Sequence, residues 1–299
     1  MNDRQSAADI DLHEVESAVA AAIKDRNNDS LRLLGHGEIS IVIAWPTAQP
    51  QVALKRVPPF RDASAAQRYA EVCEQFFGTL TAAGVGVWPT TLHPLQRSDG
   101  KTVVYHRQPI ADMSQLGSNV LRAAAPADGH PLIDAIVDAA ARVCTPTTGF
   151  DCQMANWLWD GTTATQIDFT SPFVLTDDRK ELVYDSNAFL QEYPWALRAY
   201  LKKELTGLMH RFTTVEGALG DMVANMLKEG LDQWVDPAIA SINDRLGVEM
   251  RRETAEKMLA DDAKLLPLTL KLKKGQRWWL ARTGRRYEAL LPERTTYGK

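Results

Sequence analysis

The sequence has few cysteines and histidines and no long apolar run. The three cysteines, Cys73, Cys144 and Cys152, are too few and too scattered for a disulfide framework or a cysteine zinc site, which favours a reducing compartment. No segment approaches the roughly 18 apolar residues of a membrane-spanning helix, and the acidic start lacks the apolar region of a signal peptide. The six histidines show no metal-ligand spacing. These absences predict a cytoplasmic protein with no membrane partner.

The composition that remains is typical of a globular protein. Of the 299 residues, 45% are hydrophobic and 24% charged, enough to bury a substantial core in one large domain or two ordinary ones. The net charge of −4 is unevenly spread, because residues 271–299 contain nine Lys or Arg and two Asp or Glu. That segment carries +7 and leaves −11 for the other 270 residues. A basic tail on an acidic body predicts contact with an acidic partner or with the body itself.

Apolar spacing divides the chain into a β-rich half and a helical half. A short polar helix is predicted within residues 1–29, and a longer one over 63–83 carries a single apolar stripe. β-Branched residues and glycine turns predict five strands of an antiparallel sheet around that helix. The predicted strands are residues 31–34, 39–45, 51–57, 90–95 and 102–106.

The second half is read as mainly helical. A strongly apolar helix is predicted over 131–144, a short hairpin over 157–169, and successive helices over 185–262. In the basic tail, a strand pair (268–272 and 278–281) is preferred to a nucleic-acid surface formed by Trp278, Trp279 and the surrounding cations. Nucleic acid is therefore not an expected partner.

These patterns together predict an α+β protein with a small antiparallel N-lobe, one inserted helix and a larger helical C-lobe. The predicted divisions are an N-terminal helical extension (1–29), a nucleotide-binding N-lobe (30–107), a hinge (108–113), a helical C-lobe (114–270) and a basic C-terminal tail (271–299).

Four short motifs bear groups that suit phosphate and metal chemistry. The glycine turn Gly35–Ser40 lets the backbone approach a phosphate, although such turns also occur in plain hairpins. Lys55 lies in an apolar strand, where its ammonium needs a partner unless it reaches water. Asp151 and Asn156 share a loop, and Asp168 ends a strand-like run. Two acids and an amide supply the oxygen ligands that Mg²⁺ prefers, although a loop Asp is more often a turn former.

In this order the motifs resemble those of the protein-kinase-like phosphotransferases, most closely the aminoglycoside and choline phosphotransferase branch. The match covers residues 31–173 and includes Val-Ala-Leu-Lys, Asp-x4-Asn and Ile-Asp-Phe. The resemblance implies a bilobal protein-kinase-like fold, with ATP and Mg²⁺ as cofactors. It also implies transfer of a phosphoryl group to a hydroxyl of a small molecule or of a peptide Ser/Thr.

The resemblance assigns a role to each motif residue. Asp151 would be the base that orients the acceptor hydroxyl, Asn156 and Asp168 would ligate Mg²⁺, and Lys55 would pair with the α- and β-phosphates. Further nucleotide contacts are expected from the glycine turn and the hinge, at Gly35, His36, Gly37, Ser40, Gln108 and Ile110.

A glutamate of the inserted helix is expected to pair with Lys55 and to belong to the nucleotide site. Glu74 flanks the apolar stripe, which is centred near Cys73 and Phe76, whereas Glu71 points almost directly away from it. The sequence therefore predicts Glu74 as the partner, with Glu71 as the alternative.

Two departures from the family pattern leave a second hypothesis open. Gly149 stands where the family has a histidine, two positions before Asp151, and no Ala-Pro-Glu segment follows. The missing segment argues against a eukaryotic-type protein kinase with a phosphorylated activation loop. The missing histidine favours a kinase-like scaffold that binds a nucleotide or a partner without catalysis. The retained motif residues oppose this scaffold: Lys55, Asp151, Asn156 and Asp168.

Overall fold

The computed structural model describes residues 10–25, 27–36, 40–126, 129–191, 193–284 and 287–288. The strands are β1 (Arg32–His36), β2 (Ile41–Trp45), β3 (Val52–Arg56), β4 (Gly86–Val87), β5 (Thr91–Gln96), β6 (Thr102–Gln108), β7 (Trp157–Trp159) and β8 (Ala164–Gln166). The helices are α1 (Leu12–Asp25), α2 (Ala63–Ala82), α3 (Gly117–Ala123), α4 (Pro131–Val143), α5 (Asn187–Leu190), α6 (Arg198–Phe212), α7 (Val215–Lys228), α8 (Val235–Leu246) and α9 (Arg252–Arg282).

The N-lobe is a five-stranded antiparallel sheet in the order β1-β2-β3-β6-β5. The long helix α2 follows β3 along the chain, as predicted. It begins where the Asp62 carboxylate accepts a hydrogen bond from the Ala65 N–H, a side-chain cap that satisfies an otherwise unpaired donor. It ends before Gly84, whose φ of +73° lies in the left-handed region that glycine adopts without strain. The predicted strands and inserted helix of the N-lobe are thus present.

Helices cover both faces of this sheet. Side chains alternate along β3, so Leu54 and Lys55 face opposite ways. Leu54 packs with Val19 of α1 in one buried cluster. On the opposite face, Tyr69 of α2 packs with Val104 of β6 in another. All five residues of β3 are buried as a result, which explains why the strand carries apolar residues on both faces.

The C-lobe is built around α4, which is buried among α7, α8 and the loops after Gly149. A small second sheet in the order β4-β8-β7 lies beside it. In that sheet β4 pairs in parallel with β8, and Gly86 lies opposite Thr165. A Cβ at Gly86 would lie 2.7 Å from the Ala164 carbonyl oxygen, so only glycine allows this approach. The predicted fold class, a small antiparallel N-lobe followed by a helical C-lobe, is confirmed.

The predicted strand pair in the basic tail is wrong. Residues 252–282 form one 31-residue helix, α9, so the predicted boundary at residue 270 lies inside a helix. A glycine inside an exposed helix lowers helix stability by only about 1 kcal/mol. At Gly275 the packing at both ends of α9 outweighs this loss. Ala255 and Gln276 are both buried, and Met258 lies against Gly220 of α7. No helix in the described ranges is long and apolar enough to cross a membrane.

The far end of α9 and the residues after it contact the N-lobe. Arg277 donates a hydrogen bond of 3.2 Å to the Ile23 carbonyl oxygen at the end of α1, a favourable place for a cation. Residues 287–288 then reach the outer face of the sheet. The tail is thus attached to the body over the part that the structure describes.

A buried cluster of charges joins α1, the sheet and this last segment. Arg56 donates to both Glu16 oxygens, at 2.8 and 3.0 Å, and to the Glu288 carbonyl oxygen at 2.9 Å. Arg97 donates to Glu288 Oε2 at 2.7 Å, and the Tyr105 hydroxyl donates to Glu16 Oε2 at 2.7 Å. Buried charges need such partners because desolvation is expensive.

Neutralising one member of this cluster is expected to destabilise the fold. Glu16→Gln removes the negative charge and one of the two acceptor oxygens that Arg56 and Tyr105 share, and the cationic charge left buried should cost about 3–5 kcal/mol. Urea unfolding measures the change. Glu14→Gln, at an exposed position of the same helix, should change the free energy of unfolding by less than about 0.5 kcal/mol. Equal values for the two variants would contradict the assigned role of the cluster.

Candidate functional site

Lys55 is buried between the lobes, and its ammonium is held by the segment after β8. Its Nζ donates to the Ile167 carbonyl oxygen at 2.6 Å and lies 3.4 Å from Asp168 Oδ1. The residue is only 5% exposed, so it does not reach water as an edge-strand lysine would. The structure therefore brings two of the predicted site residues, Lys55 and Asp168, into contact.

The predicted partnership of Lys55 with Glu74 is not present. Glu74 is exposed on α2, and the carboxylate that pairs with Lys55 is that of Asp168. The alternative, Glu71, is exposed as well and lies 3.7 Å from Arg68. The position of Glu74 beside the apolar stripe did not predict its contacts. The side of α2 that approaches the Asp168 segment presents Tyr69 and Cys73 instead.

Asp168 is fixed through one of its two carboxylate oxygens. Oδ1 accepts hydrogen bonds from the Thr170 N–H at 3.0 Å and the Thr170 hydroxyl at 2.9 Å. Burial alone would raise the pKa of Asp168, but the Lys55 ammonium and the Thr170 donors outweigh burial and hold the pKa below its ordinary value. Among the described residues nothing donates to Oδ2, so this charged oxygen can meet an additional cation.

Asp151 and Asn156 are joined in the loop before β7. Asp151 Oδ1 accepts from the Gln153 N–H at 3.0 Å, and Oδ2 accepts from Asn156 Nδ2 at 2.8 Å. With its amide nitrogen directed at Asp151, Asn156 keeps Oδ1 as an oxygen that no described residue engages. The Ile167 N–H donates to the Asn156 carbonyl oxygen at 2.9 Å, which ties this loop to the segment that carries Asp168.

A buried carboxylate of the C-lobe supports the loop. Asp221 of α7 is 5% exposed and accepts from Gln153 Nε2 at 3.1 Å and from Asn225 Nδ2 at 2.9 Å. Arg211 lies 3.5 Å from its other oxygen. Asp221 was not among the predicted site residues, although an acid on the apolar side of a predicted helix was an available signal.

The loop is also held by close backbone packing at Gly149. Its N–H donates to the Phe173 carbonyl oxygen at 2.7 Å. A Cβ at this position would lie 2.9 Å from the backbone carbon and oxygen of Phe212 and 2.9 Å from Phe173 Cβ. No side chain fits there, so the absent histidine leaves no gap in the structure.

Gly149→Ala is expected to destabilise the protein by about 1–3 kcal/mol, because the methyl group must displace backbone atoms rather than a mobile side chain. Chemical unfolding measures this loss. A matched variant, Gly78→Ala, places the same methyl group in open space on α2 and should instead stabilise by about 0.5–1 kcal/mol. Stabilisation by both variants would show that the loop has room at residue 149.

At the start of the predicted hinge the side chain of Gln108 faces inward. Gln108 is 4% exposed, and its side chain donates to the Thr90 hydroxyl at 2.9 Å and to the Ile167 carbonyl oxygen at 3.0 Å. It braces the Asp168 segment from inside. Trp88 Nε1 donates to the Pro109 carbonyl oxygen at 3.0 Å, while Ile110 is 37% exposed.

Only part of the predicted glycine turn can be placed. Gly35 lies in β1 beside Val42, at a β-bulge, and a Cβ there would make ordinary contacts at 3.7 Å. His36 ends β1, Ser40 is buried, and Gly37 lies outside the described residues. The phosphate-binding role of this turn stays a prediction.

Two buried residues next to Lys55, Tyr69 and His106, were not among the predicted site residues. The Tyr69 hydroxyl lies 2.8 Å from His106 Nε2 and donates to the Thr170 carbonyl oxygen at 2.9 Å. His106 is opposite Lys55 on the neighbouring strand. Burial and the nearby Lys55 charge lower the pKa of His106 to about 3, and burial raises the pKa of Tyr69 above its ordinary value, so both side chains are neutral near pH 7.

Cys152, which follows Asp151, has no reactive character. It is fully buried, and burial raises the pKa of its thiol well above the ordinary value. A thiol that stays protonated is a poor nucleophile, so Cys152 serves as packing.

Two side-chain oxygen atoms in the cleft, the region between the N-lobe and the C-lobe beside Lys55, suit a hard cation that also binds phosphate. Within the described residues no group of three or more His, Cys, Asp and Glu side chains could hold a metal ion alone. Asp168 Oδ2 and Asn156 Oδ1 supply one charged and one neutral oxygen. Mg²⁺ is commonly held by one or two protein oxygens, with phosphates and water completing its shell. These donors fit Mg²⁺ and do not fit zinc.

The order of strands, the inserted helix and the loop-borne acids define an α+β protein with an antiparallel N-lobe and a helical C-lobe. The chain belongs to the family described as DUF6206, a family of unknown function, whose model matches residues 14–277. No curated protein sequence matches the chain significantly. Among solved structures, one described as WaaP in complex with acyl carrier protein is similar over 83% of this chain and 90% of that chain, with 12% identity and a TM-score of 0.38. These comparisons assign no activity to the chain.

Proposed function

We propose that this protein is an ATP- and Mg²⁺-dependent phosphotransferase of the aminoglycoside and choline phosphotransferase type. The observation that carries the proposal is the convergence of Lys55, Asp151, Asn156 and Asp168, which come from β3, the loop before β7 and the segment after β8. A buried cation, two oxygens suited to a metal and a further carboxylate are the groups that phosphoryl transfer requires. Such transfer depends on positioning and charge neutralisation more than on covalent chemistry.

The proposed roles follow from the contacts of each side chain. Lys55 would turn from Asp168 toward the α- and β-phosphates of ATP. Asp168 and Asn156 would hold Mg²⁺, which neutralises phosphate charge when bound. Asp151 would accept the proton of the acceptor hydroxyl as its oxygen attacks the γ-phosphorus and ADP leaves.

The nucleotide would lie between the sheet and the hinge. The backbone of Gly35–Ser40 would cover the phosphates, and Ile110 would face the adenine. Since the indole of Trp88 engages the Pro109 carbonyl oxygen, the Ile110 N–H is the proposed hinge donor. The acceptor is a small molecule or a peptide Ser/Thr, with the cytosol as the proposed compartment.

A second candidate function is a nucleotide- or partner-binding scaffold without catalysis. Two observations favour it, the exposed Glu74 on α2 and the lack of space for a histidine at Gly149. The four converged polar residues oppose it, because a scaffold has no need of Asp151 beside Asn156.

Melting with defined ligands separates these functions. The melting temperature is measured with Mg²⁺ alone, with ATP alone and with both, and then ATP consumption is followed across a panel of hydroxyl acceptors. At a ligand concentration of about 100 Kd the folded state gains about 2.7 kcal/mol. We expect the full gain only with ATP and Mg²⁺ together, and consumption with at least one acceptor. Binding without any consumption would favour the scaffold, and absence of binding would refute both.

A further inference from the structure

A buried hydrogen-bond chain connects α2 and β6 to the segment that carries Asp168. Tyr69 and His106 are both 0% exposed and Thr170 is 5% exposed. The Tyr69 hydroxyl bridges the other two, at 2.8 Å from His106 Nε2 and 2.9 Å from the Thr170 carbonyl oxygen. None of these groups has a role in the function proposed above.

The chemistry of the three groups fixes where the protons lie. A carbonyl oxygen can only accept, so the single hydroxyl proton of Tyr69 is donated to Thr170. The hydroxyl oxygen must then accept from His106, which places the ring proton on Nε2. His106 Nδ1 is left as a bare acceptor, and no hydrogen-bond partner for it exists in the described part of the chain.

The chain continues from Thr170 to the carboxylate of Asp168. The Thr170 N–H and hydroxyl both donate to Asp168 Oδ1, while its carbonyl is the group held by Tyr69. The orientation of Asp168 Oδ2 therefore depends on a residue whose own position is set from α2. The glutamates of that helix, Glu71 and Glu74, are exposed and make no contact with Lys55.

We propose that Tyr69, backed by the Nε2–H of His106, is a positioning residue that fixes Thr170 and thereby aims Asp168 at the metal. The inference rests on the proposed function, because it assumes the metal role of Asp168. A neutral hydrogen-bond chain would thus couple α2 to the metal-binding segment. The sequence had instead predicted that a charged residue, Glu74, couples α2 to Lys55.

The tautomer can be measured without any ligand. In the full-length protein labelled with ¹⁵N-histidine, we expect His106 to show one neutral tautomer with its proton on Nε2. In Tyr69→Phe the Nε2–H loses its acceptor, so this resonance should shift. A proton on Nδ1 in the wild-type protein would overturn the inference.

Metal-dependent binding tests the positioning role. In Tyr69→Phe the affinity for ATP with Mg²⁺ should fall about tenfold, in line with the loss of one buried hydrogen bond to an otherwise unpaired group, while the affinity for ATP without Mg²⁺ stays the same. Tyr184→Phe is the matched control, since Tyr184 packs edge-on against Tyr69 at 5.4 Å and belongs to the same buried cluster. It should leave both affinities unchanged.

A second pair of variants covers the case in which Tyr69→Phe does not fold. His106→Gln keeps an N–H donor near the Nε2 position and should bind ATP and Mg²⁺ within a few-fold of wild type. His106→Leu removes the donor and should lose affinity as Tyr69→Phe does. Equal affinities for these two variants would overturn the inference.

The outcomes also separate this inference from the proposed function. If the wild-type protein shows no Mg²⁺-dependent ATP binding, the proposed function and the positioning role are both refuted. If the wild type binds and Tyr69→Phe behaves like Tyr184→Phe, only the positioning role is refuted.

Discussion

Replacement of Asp151 by asparagine is expected to lower turnover by about two or more orders of magnitude while ATP affinity stays within a few-fold. Asparagine cannot take the proton of the acceptor hydroxyl, and general-base catalysis contributes on the order of 10²–10⁴ in rate. In the proposed reaction the residue meets the acceptor rather than the nucleotide, so nucleotide binding should be spared. Steady-state kinetics and a nucleotide titration measure the two effects.

The contacts of Asp151 predict a second, smaller effect. Its carboxylate accepts from both the Gln153 N–H and Asn156 Nδ2, and an amide can accept only one of these bonds without turning a donor toward the other. A loss of about 1 kcal/mol in stability is therefore expected. Asp244→Asn, at an exposed position of α8, should change neither turnover nor stability. Unchanged turnover in Asp151→Asn would remove Asp151 from the reaction.

Asp168→Asn is expected to abolish the Mg²⁺-dependent part of nucleotide binding. The asparagine oxygen can keep both bonds from Thr170, so the segment should fold, but the neutral amide then faces the metal in place of Oδ2. The gain of about 2.7 kcal/mol expected at 100 Kd of ATP with Mg²⁺ should disappear from the melting curve. The protein without ligand should lose about 1–3 kcal/mol, because the Lys55 ammonium loses its charged partner.

Glu74→Gln is the matched control for Asp168→Asn. Glu74 is exposed on α2, so its neutralisation should leave stability and Mg²⁺-dependent binding unchanged. A loss of binding in Glu74→Gln that equals the loss in Asp168→Asn would restore the partnership first expected between Glu74 and Lys55. Retained Mg²⁺-dependent binding in Asp168→Asn would exclude Asp168 as a metal ligand.

The parts of the fold that the sequence predicted correctly rest on local signals. The stripe of α2 and its glycine stop, the β-branched runs of β2 and the apolar helix α4 each show their structure within about 20 residues. Lys55 and Asp168, which the structure brings into contact, were also predicted together, because the ordered series of motifs joined two residues that are ambiguous when taken alone.

What the sequence did not reveal depends on contacts between distant parts of the chain. Which side of α2 faces the Asp168 segment depends on how the helix packs against it, and Tyr69, about 140° around the helix from Glu74, occupies that side. The helix α9 was misread because Gly275 and the neighbouring cations look like a turn, whereas burial of Gln276 and Ala255 against other elements decides the outcome. The Tyr69–His106 pair lies 37 positions apart, and no local pattern joins the two residues.

The buried charge cluster has a consequence for the order in which the protein folds during synthesis. Arg56 and Glu288 are 232 positions apart, so the ribosome makes the whole sheet, the cleft and α9 before the second carboxylate of Arg56 exists. Domains usually complete folding from the N-terminus as the chain emerges, at about 5–20 residues per second. Here the first lobe to emerge is among the last to reach its native charge balance. A nascent chain stalled before residue 287 would therefore lack the Glu288 partner of Arg56 and Arg97.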